Sequence, residues 1–452
     1  MSLEELSNLV VTSVSRRPQS LAEAASAIQV ITGEEIRRSG ATSIPEALRL
    51  ASNLQVGQLN GNNWAISARG FNSTVANKLL VMIDGRTIYS PLFAGTFWEA
   101  QDVPLYDVDR IEVISGPGGT LWGANAVNGV INIVTRSASE TQGLLVRAGG
   151  GNELREDGAI RYGGTAGSTS YRVYAQYAGR DAADLPSGAD IGDGSNVGQA
   201  GFRLDWASGD GDVLTVQGDA NEVHTDNPFT DDSTSRSQNI LARWRRQFSA
   251  TSELQVQAYY DRALRRVPSS YGDDLQTFDI ELQHRFQAGS RHNIVWGLTY
   301  RAEHDDFDNV VYALDPPHRT LHRPGGFFQD EIALLPDSLH LTVGTKVEDN
   351  EYTGAEWQPS VRLAWSFNED SLLWGAVSRA VRTPSRIDRD LANRTRPPFT
   401  AGNPDFESEK LIAYELGLRT QPSRPLSLSL ATYYNDYDDL RSFEPPPGRR
   451  RP

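Results

Sequence analysis

Cysteine is absent from the chain. A disulfide framework, a thiolate metal site and a cysteine nucleophile are thereby excluded. No stretch approaches the roughly 18 to 20 apolar residues that a membrane-crossing helix needs. The hydrophobic fraction is only 38% over 452 residues, low for a large conventional core. Positive charge is in deficit. The net charge of −15 argues against a nucleic-acid partner. Met1-Ser2-Leu3-Glu4-Glu5 has neither the basic start nor the apolar stretch of a secretory signal, so a chain that begins near its mature terminus is expected. No G-x-S-x-G or H-E-x-x-H pattern occurs. No set of nucleophile, base and acid can be assembled, and neither enzymatic activity nor a cofactor is expected.

What the chain does have is 40 glycines, 16 tyrosines and 9 tryptophans. From about residue 142 onward, apolar and polar residues alternate in long segments. Tyr171, Val173, Ala175 and Tyr177 alternate with Arg172, Tyr174 and Gln176. Leu254, Val256, Ala258 and Tyr260 alternate with Gln255, Gln257 and Tyr259. Side chains on a strand alternate faces, so each segment has one apolar and one polar face. The segments reach about 10 residues, against about 5 to 6 for an ordinary strand. About 14 or 15 of them are present. Short turns at 249–251 and 335–337 alternate with long polar connections at 221–236, 304–323 and 383–410. Short turns at one end and long loops at the other is the pattern of an antiparallel transmembrane β-barrel. A soluble β-rich binding module is the competing class, and solubility without detergent would favour it. The tail at 445–452 (PPPGRRRP) reads as disordered.

The first 138 residues read differently, as a mixed α/β unit. A strand is expected at 27–32. A helix then opens on Thr32 with Glu35 at the capping-box position, and Gly40 ends it. A second helix is expected at 43–51, with Ser43 as N-cap, Pro45 in the first turn and Glu46 completing the cap. Strands are expected at 54–56, 64–68, 79–83, 110–114 and 130–135. Asp84-Gly85 marks a hairpin turn. Gly116, Gly118, Gly119 and Gly123 form a glycine-rich loop with no helix pattern after it. Close backbone packing, not phosphate binding, is expected there.

Three ordered stretches carry a resemblance. Residues 30–54 contain T-G-E-E-I and G-A-T-S-I-P-E-A-L. Ala68-Arg69-Gly70-Phe71 is followed by Leu79-Leu80-Val81-Met82-Ile83-Asp84-Gly85. Asp109-Arg110-Ile111-Glu112 leads into Gly116-Pro117 and Gly123, then Asn128-Gly129. In this order they resemble the plug domain of TonB-dependent outer-membrane receptors. Ser115 stands where the family pattern usually has Arg. Leu9-Val10-Val11-Thr12-Ser13-Val14 resembles the TonB box. Phe328-Gln329-Asp330-Glu331 and Ser378-Arg379-Ala380-Val381-Arg382-Thr383-Pro384 resemble barrel landmarks.

The resemblance implies a mixed α/β plug domain inside an antiparallel transmembrane β-barrel. It divides the chain into a TonB-box segment and linker at 1–20, a plug at 21–138 and a partial barrel at 139–452. Family barrels have about 22 strands, so the chain is expected to be incomplete at its C-terminal end. The implied function is a receptor or transporter in the outer membrane of a Gram-negative-type bacterium. Its implied partners are TonB, outer-membrane lipid and a small metal-chelate ligand. A ferric siderophore comes first, with cobalamin, haem or another metal chelate as alternatives. A non-transporting remnant is the other reading. Arg69, Asp84, Asp109, Arg110 and Glu112 are expected to pair across the plug–barrel interface. His304, Tyr312, His318 and His322, with Phe229, Tyr271 and Phe307, are candidates for substrate contact in outer loops. No metal site is assigned to them.

Overall fold

The computed structural model describes residues 9–228, 231–393, 400–423 and 425–443. Residues 1–5, Phe229 and residues 445–452 lie outside these. Fifteen strands, from Gly143–Gly149 to Leu426–Asp438, form one antiparallel sheet in sequence order. Among the described residues, its two edge strands do not pair with each other.

The alternation runs inside out. Val173 and Tyr177 are 50% and 44% exposed, whereas Arg172 on the opposite face is 4% exposed. Gln257 and Tyr259 are buried while Tyr260 is exposed. The apolar face looks outward and the polar face lines an interior. A soluble sandwich would bury the apolar face; a barrel wall in lipid presents it.

Strands such as Tyr271–Ala288 and His318–Leu335 have 18 residues each, well beyond the roughly 10 needed to cross a bilayer. Connections at 250–251, 289–291 and 336–338 lie at one end, and those at 181–194, 226–232, 309–317 and 383–408 at the other. Two expected long loops are therefore shorter than the sequence suggests. The ladder continues through Asn221↔Ser237, His224↔Thr234, His304↔Thr320 and Asp306↔His318. Backbone pairing needs no apolar side chains, so a polar stretch above the lipid does not mark where a strand stops. Loop 383–408 also holds a short helix, Arg386–Asp390, closed by a Ser385–Asp388 capping box.

The N-terminal unit sits within the curve of this wall. Its five-stranded sheet has the order Ile28–Thr32, Val108–Ser115, Gly129–Thr135, Leu79–Ile83, Arg86–Thr87. Ile31, Ile36, Leu48, Ile66, Ile111 and Ile133 form its core. Asp84 and Gly85 both have positive φ, 50° and 82°, and turn the chain between Ile83 and Arg86. The first helix, Gly33–Ser39, has the expected Thr32–Glu35 box and a left-handed Gly40. The second spans only Ile44–Leu48. Ser43 accepts from the Glu46 amide, but the Glu46 carboxylate takes the Thr42 amide at 2.6 Å and closes no box on Ser43. A helical turn, Gly119–Trp122, lies within the glycine loop, and the next element after Gly123 is the strand Gly129–Thr135. The turn is too short to show a periodic pattern in the sequence.

Thr32→Ala removes the bonds of Thr32 Oγ1 to the Glu35 amide and carboxylate. The expected cost is about 1 kcal/mol. Amide exchange in Gly33–Ser39 should quicken by roughly fivefold, as hydrogen-exchange mass spectrometry would read.

Candidate functional site

Three fastenings join the N-terminal unit to the wall and to its own leading segment. The first is the interface around the expected signature residues. Arg69, at φ 55°, donates to Glu415 of the wall at 2.6 Å and to the Ser115 carbonyl at 2.8 Å. Its guanidinium lies 4.1 Å from the Tyr433 ring centroid. Gly70 and Phe71 continue the positive-φ run, and Phe71 meets the Tyr437 ring edge-on at 5.1 Å. A Cβ on Gly116, at φ 121°, would stand 2.5 Å from Glu415 Oε1 and 3.0 Å from the Arg69 guanidinium. Glycine here lets the backbone reach the ion pair. Gly123 is confined in the same way by Glu348, which also accepts from the Ala124 amide at 2.6 Å. Asn128 Oδ1 accepts from Tyr437 at 2.7 Å, and Gly129 opens the strand beside it. Pro117 lines a lumen cavity shared with Arg362 and Ser378 of the wall.

Asp84 accepts from the Thr135 amide and hydroxyl and from Gln217 of the wall, at 2.7 to 2.9 Å. Burial would raise its pKa. The Arg203 charge and these hydrogen bonds outweigh that and hold it below the usual carboxylate range. Gln257 donates to the Gly85 carbonyl at 3.0 Å. Asp109, Arg110 and Glu112 depart from expectation. Arg110 pairs with Asp109 at 2.6 Å and with Glu112 at 2.8 Å, all within the N-terminal unit. Arg110 and Glu112 alternate on one strand, so the nearest opposite charge is a neighbour in the chain.

The second fastening is what Glu112 does instead. Its carboxylate accepts from the Thr12 amide at 3.1 Å, the Ser13 amide at 2.9 Å and the Ser13 hydroxyl at 2.5 Å. Trp122 Nε1 donates to the Ser13 carbonyl at 2.9 Å. Val10–Val11 pairs with Gln19–Ser20, and Leu9, Val11 and Val14 pack in an apolar cluster. Arg16 reaches Glu281 and Arg17 reaches Glu331 of the wall, on the side of the short turns. Residues 9–14 are thus latched. Glu112 beside the apolar Ile111, Val113 and Ile114 marks a buried charge in the sequence, but not the segment that it holds.

The third lies at the long-loop end. Arg382 and Arg386 are fully buried. Arg382 pairs with Asp388 at 2.6 Å and with Glu409 at 2.8 Å, and Glu409 also takes Lys78 of the N-terminal unit. Burial pushes the Lys78 ammonium below its usual pKa, with Glu409 opposing. Arg386 pairs with Asp305 and Asp390. The amides of Arg386 and Ile387 donate to the carbonyls of Pro91 and Leu92, each at 2.9 Å. The helix in loop 383–408 is therefore strapped down onto the N-terminal unit.

This architecture has counterparts. Residues 139–450 match the family model for the TonB dependent receptor-like beta-barrel, and residues 20–130 match that of the TonB-dependent receptor plug domain. The chain belongs to the TonB-dependent receptors. It is thereby an outer-membrane protein of the Gram-negative type. It is similar to an iron-regulated outer membrane virulence protein of Vibrio cholerae, with 24% identity over 93% of this chain and 67% of that protein. Over 34% of its length it is 34% identical to a vitamin B12 transporter BtuB of Vibrio vulnificus, covering 25% of that protein. It spans about a quarter of that relative and about two thirds of the former. Among solved structures it resembles the ferric enterobactin receptor PfeA of Pseudomonas aeruginosa, with a TM-score of 0.76 and 17% identity over 95% of this chain and 73% of that one. That likeness concerns the fold. By name, BtuB is a transporter and PfeA a receptor.

Most of the receptor's expected loop candidates are not in loops. His304, His318 and His322 lie in strands, as do Tyr271 and Phe307. Each of these histidine rings has its own partner: Thr320 at 2.8 Å, Asp306 at 2.7 Å and Tyr300 at 2.9 Å respectively. Tyr312 alone of the four site candidates is in a loop, and it is exposed. None of the four lines the large outer cavity between plug and wall. That cavity, of about 1120 Å³, is bordered by Arg49, Trp64, Trp98, Asp102, Arg180 and Asp193. Burial raises the Asp102 carboxyl to about 6 despite the opposing charge of Arg180. Sequence reading missed this cavity because its plug and wall residues meet only in the fold.

Proposed function

We propose that the receptor takes up a small metal chelate across the outer membrane, driven by TonB through residues 9–14. A ferric siderophore is the first choice of ligand. Cobalamin is the alternative that the BtuB likeness favours. The proposed division is a segment and linker at 1–20, a plug at 21–138 and a barrel at 139–452. The observation that carries the reading is the placement of the fastenings. The Glu112 latch holds the N-terminal segment at the short-turn end, and the Arg382–Asp388 strap closes on the plug at the long-loop end. Ligand arrives at one end and force at the other. The Arg69–Glu415 pair and the Asp84 bonds hold the plug between them, and polar contacts of this kind can exchange for water when it moves.

The test is growth under iron limitation in cells whose only receptor of this class is this chain, with a panel of ferric siderophores. Rescue by at least one supports the reading. A properly inserted receptor that rescues with none, while restoring cobalamin-dependent growth, would move the ligand to the alternative. Failure in both arms sinks uptake by this chain.

The latch gives a second expectation. Glu112→Gln replaces charge-assisted hydrogen bonds by neutral ones, with a loss of about 1.5 kcal/mol. The released population of residues 9–14 should rise about tenfold. Labelling of a cysteine placed at Leu9 by a membrane-impermeant reagent in the periplasm would report it, and unchanged labelling would refute the latch.

A further inference from the structure

A second cavity in the lumen has the opposite electrical character to the outer one. It holds about 410 Å³ between the Asp84-Gly85 turn and the facing wall strands, with Thr12, Arg16 and Pro18 along one side. Nine cationic side chains line it against five carboxylates. Several of the cations are matched: Arg16 by Glu281, Arg301 by Asp279, Lys346 by Glu348, Arg285 by Glu253. Arg243 and Arg245 are not. Arg243 donates only to neutral oxygens, the Asp84 carbonyl and Gln257 Oε1. Arg245 has no ion pair or hydrogen bond among the described residues, and it is exposed close to the 250–251 turn.

The two arginines stand two residues apart on Ser233–Ser249, so both project into the lumen. Across the ladder they oppose Gln257 and Gln255, neutral amides that do not compensate the charge. Two guanidinium forks on one face offer several donors to a carboxylate or phosphate. Asp84 and Glu281 share the cavity with Arg243 but form no ion pair with it, and Arg245 is open to water; an anion between the two arginines would give each a charge-assisted partner.

We propose that this cavity binds a small polyanion, bearing phosphate or carboxylate groups, between Arg243 and Arg245, and that the ligand enters from the short-turn end. The outer cavity, lined by eight carboxylates against two arginines, disfavours entry from the other side. The site is independent of the uptake reading.

The test is calorimetric titration of the detergent-solubilised full chain with inorganic pyrophosphate and, separately, tricarballylate. At least one should bind saturably. Arg245→Glu should weaken binding by about tenfold or more, and Arg243→Gln should weaken it as well. Arg245 supports no contact, so its replacement leaves the fold intact, as an unchanged near-UV spectrum would verify. Arg236→Glu, which alters an exposed arginine paired with Glu222 outside the cavity, should bind as the parent does. Binding of pyrophosphate alone assigns a phosphate ligand, and of tricarballylate alone a carboxylate. Saturable binding of neither, or parental binding by Arg245→Glu, overturns the proposal. A failed growth rescue would leave these titrations unaffected, so the two failures are distinguishable.

Discussion

Val11→Pro is expected to abolish uptake while leaving ligand binding at the cell surface unchanged. Residues 9–14 are proposed to join the energising partner as an added strand, a mode in which main-chain hydrogen bonds supply the affinity. Proline removes one donor and fixes φ, and a strand carbonyl left without its bond costs up to about 3 kcal/mol. That corresponds to about 100-fold less of the engaged complex. The same change disturbs the Val11↔Gln19 pairing, so the segment should be more exposed and still fail. Exposure without uptake separates a lost engagement from a jammed latch. Uptake of labelled chelate by whole cells, set beside equilibrium binding to the same cells, measures both. Uptake at the parental rate would show that another segment receives the partner.

Asp388→Ala should release the outer strap. Asp388 accepts from the fully buried Arg382 and from the amide and hydroxyl of Ser385. Burial works against the Asp388 carboxylate, but Arg382 and the Ser385 bonds hold it below the usual range, so it is charged at neutral pH. Removing one member of a buried pair costs about 3 to 5 kcal/mol where the other charge is stranded; Arg382 keeps Glu409, so a cost near the lower end, about 3 kcal/mol, is expected. Amide exchange across Arg386–Asp390 should rise by a factor of about 100 or more. Removing both members together, Arg382→Met with Asp388→Leu, should be far milder than the single change, because no charge is stranded. Equal protection in parent and single variant would show that the strap is held by the Pro91 and Leu92 carbonyls instead.

The parts of the molecule that the sequence made legible share a physical cause. Leu79–Ile83 and Gly129–Thr135 are covered on both faces, so they read as apolar runs and their bounds come out nearly right. The wall strands alternate, and their number was readable. Which face looks outward was not, because period two is the same in a sandwich and in a barrel. Val173 and Arg172 settle it only through their exposures. His304 and His318 were misplaced because strands continue above the lipid with polar side chains. Arg382 closes a stretch that resembles a barrel landmark and Arg386 lies in the expected polar connection at 383–410, yet both are fully buried. Their partners Glu409 and Asp305 are distant in sequence, and no local pattern encodes such a pairing. Glu112 escaped for the same reason, since Thr12 and Ser13 are far from it along the chain.

The position of Ile28–Thr32 has a mechanical consequence. It is the edge strand of the plug sheet and has a single neighbour, Val108–Ser115. Tension drawn in through the N-terminus arrives at the Ile28↔Ile114 pair before any other pair of that sheet. The load then passes along one seam toward Thr32↔Arg110, instead of falling on the whole sheet at once. The pairing of Leu79–Ile83 with Gly129–Thr135 lies two strands further in. Under such tension the plug would peel from its leading edge, with its centre as the last part to yield.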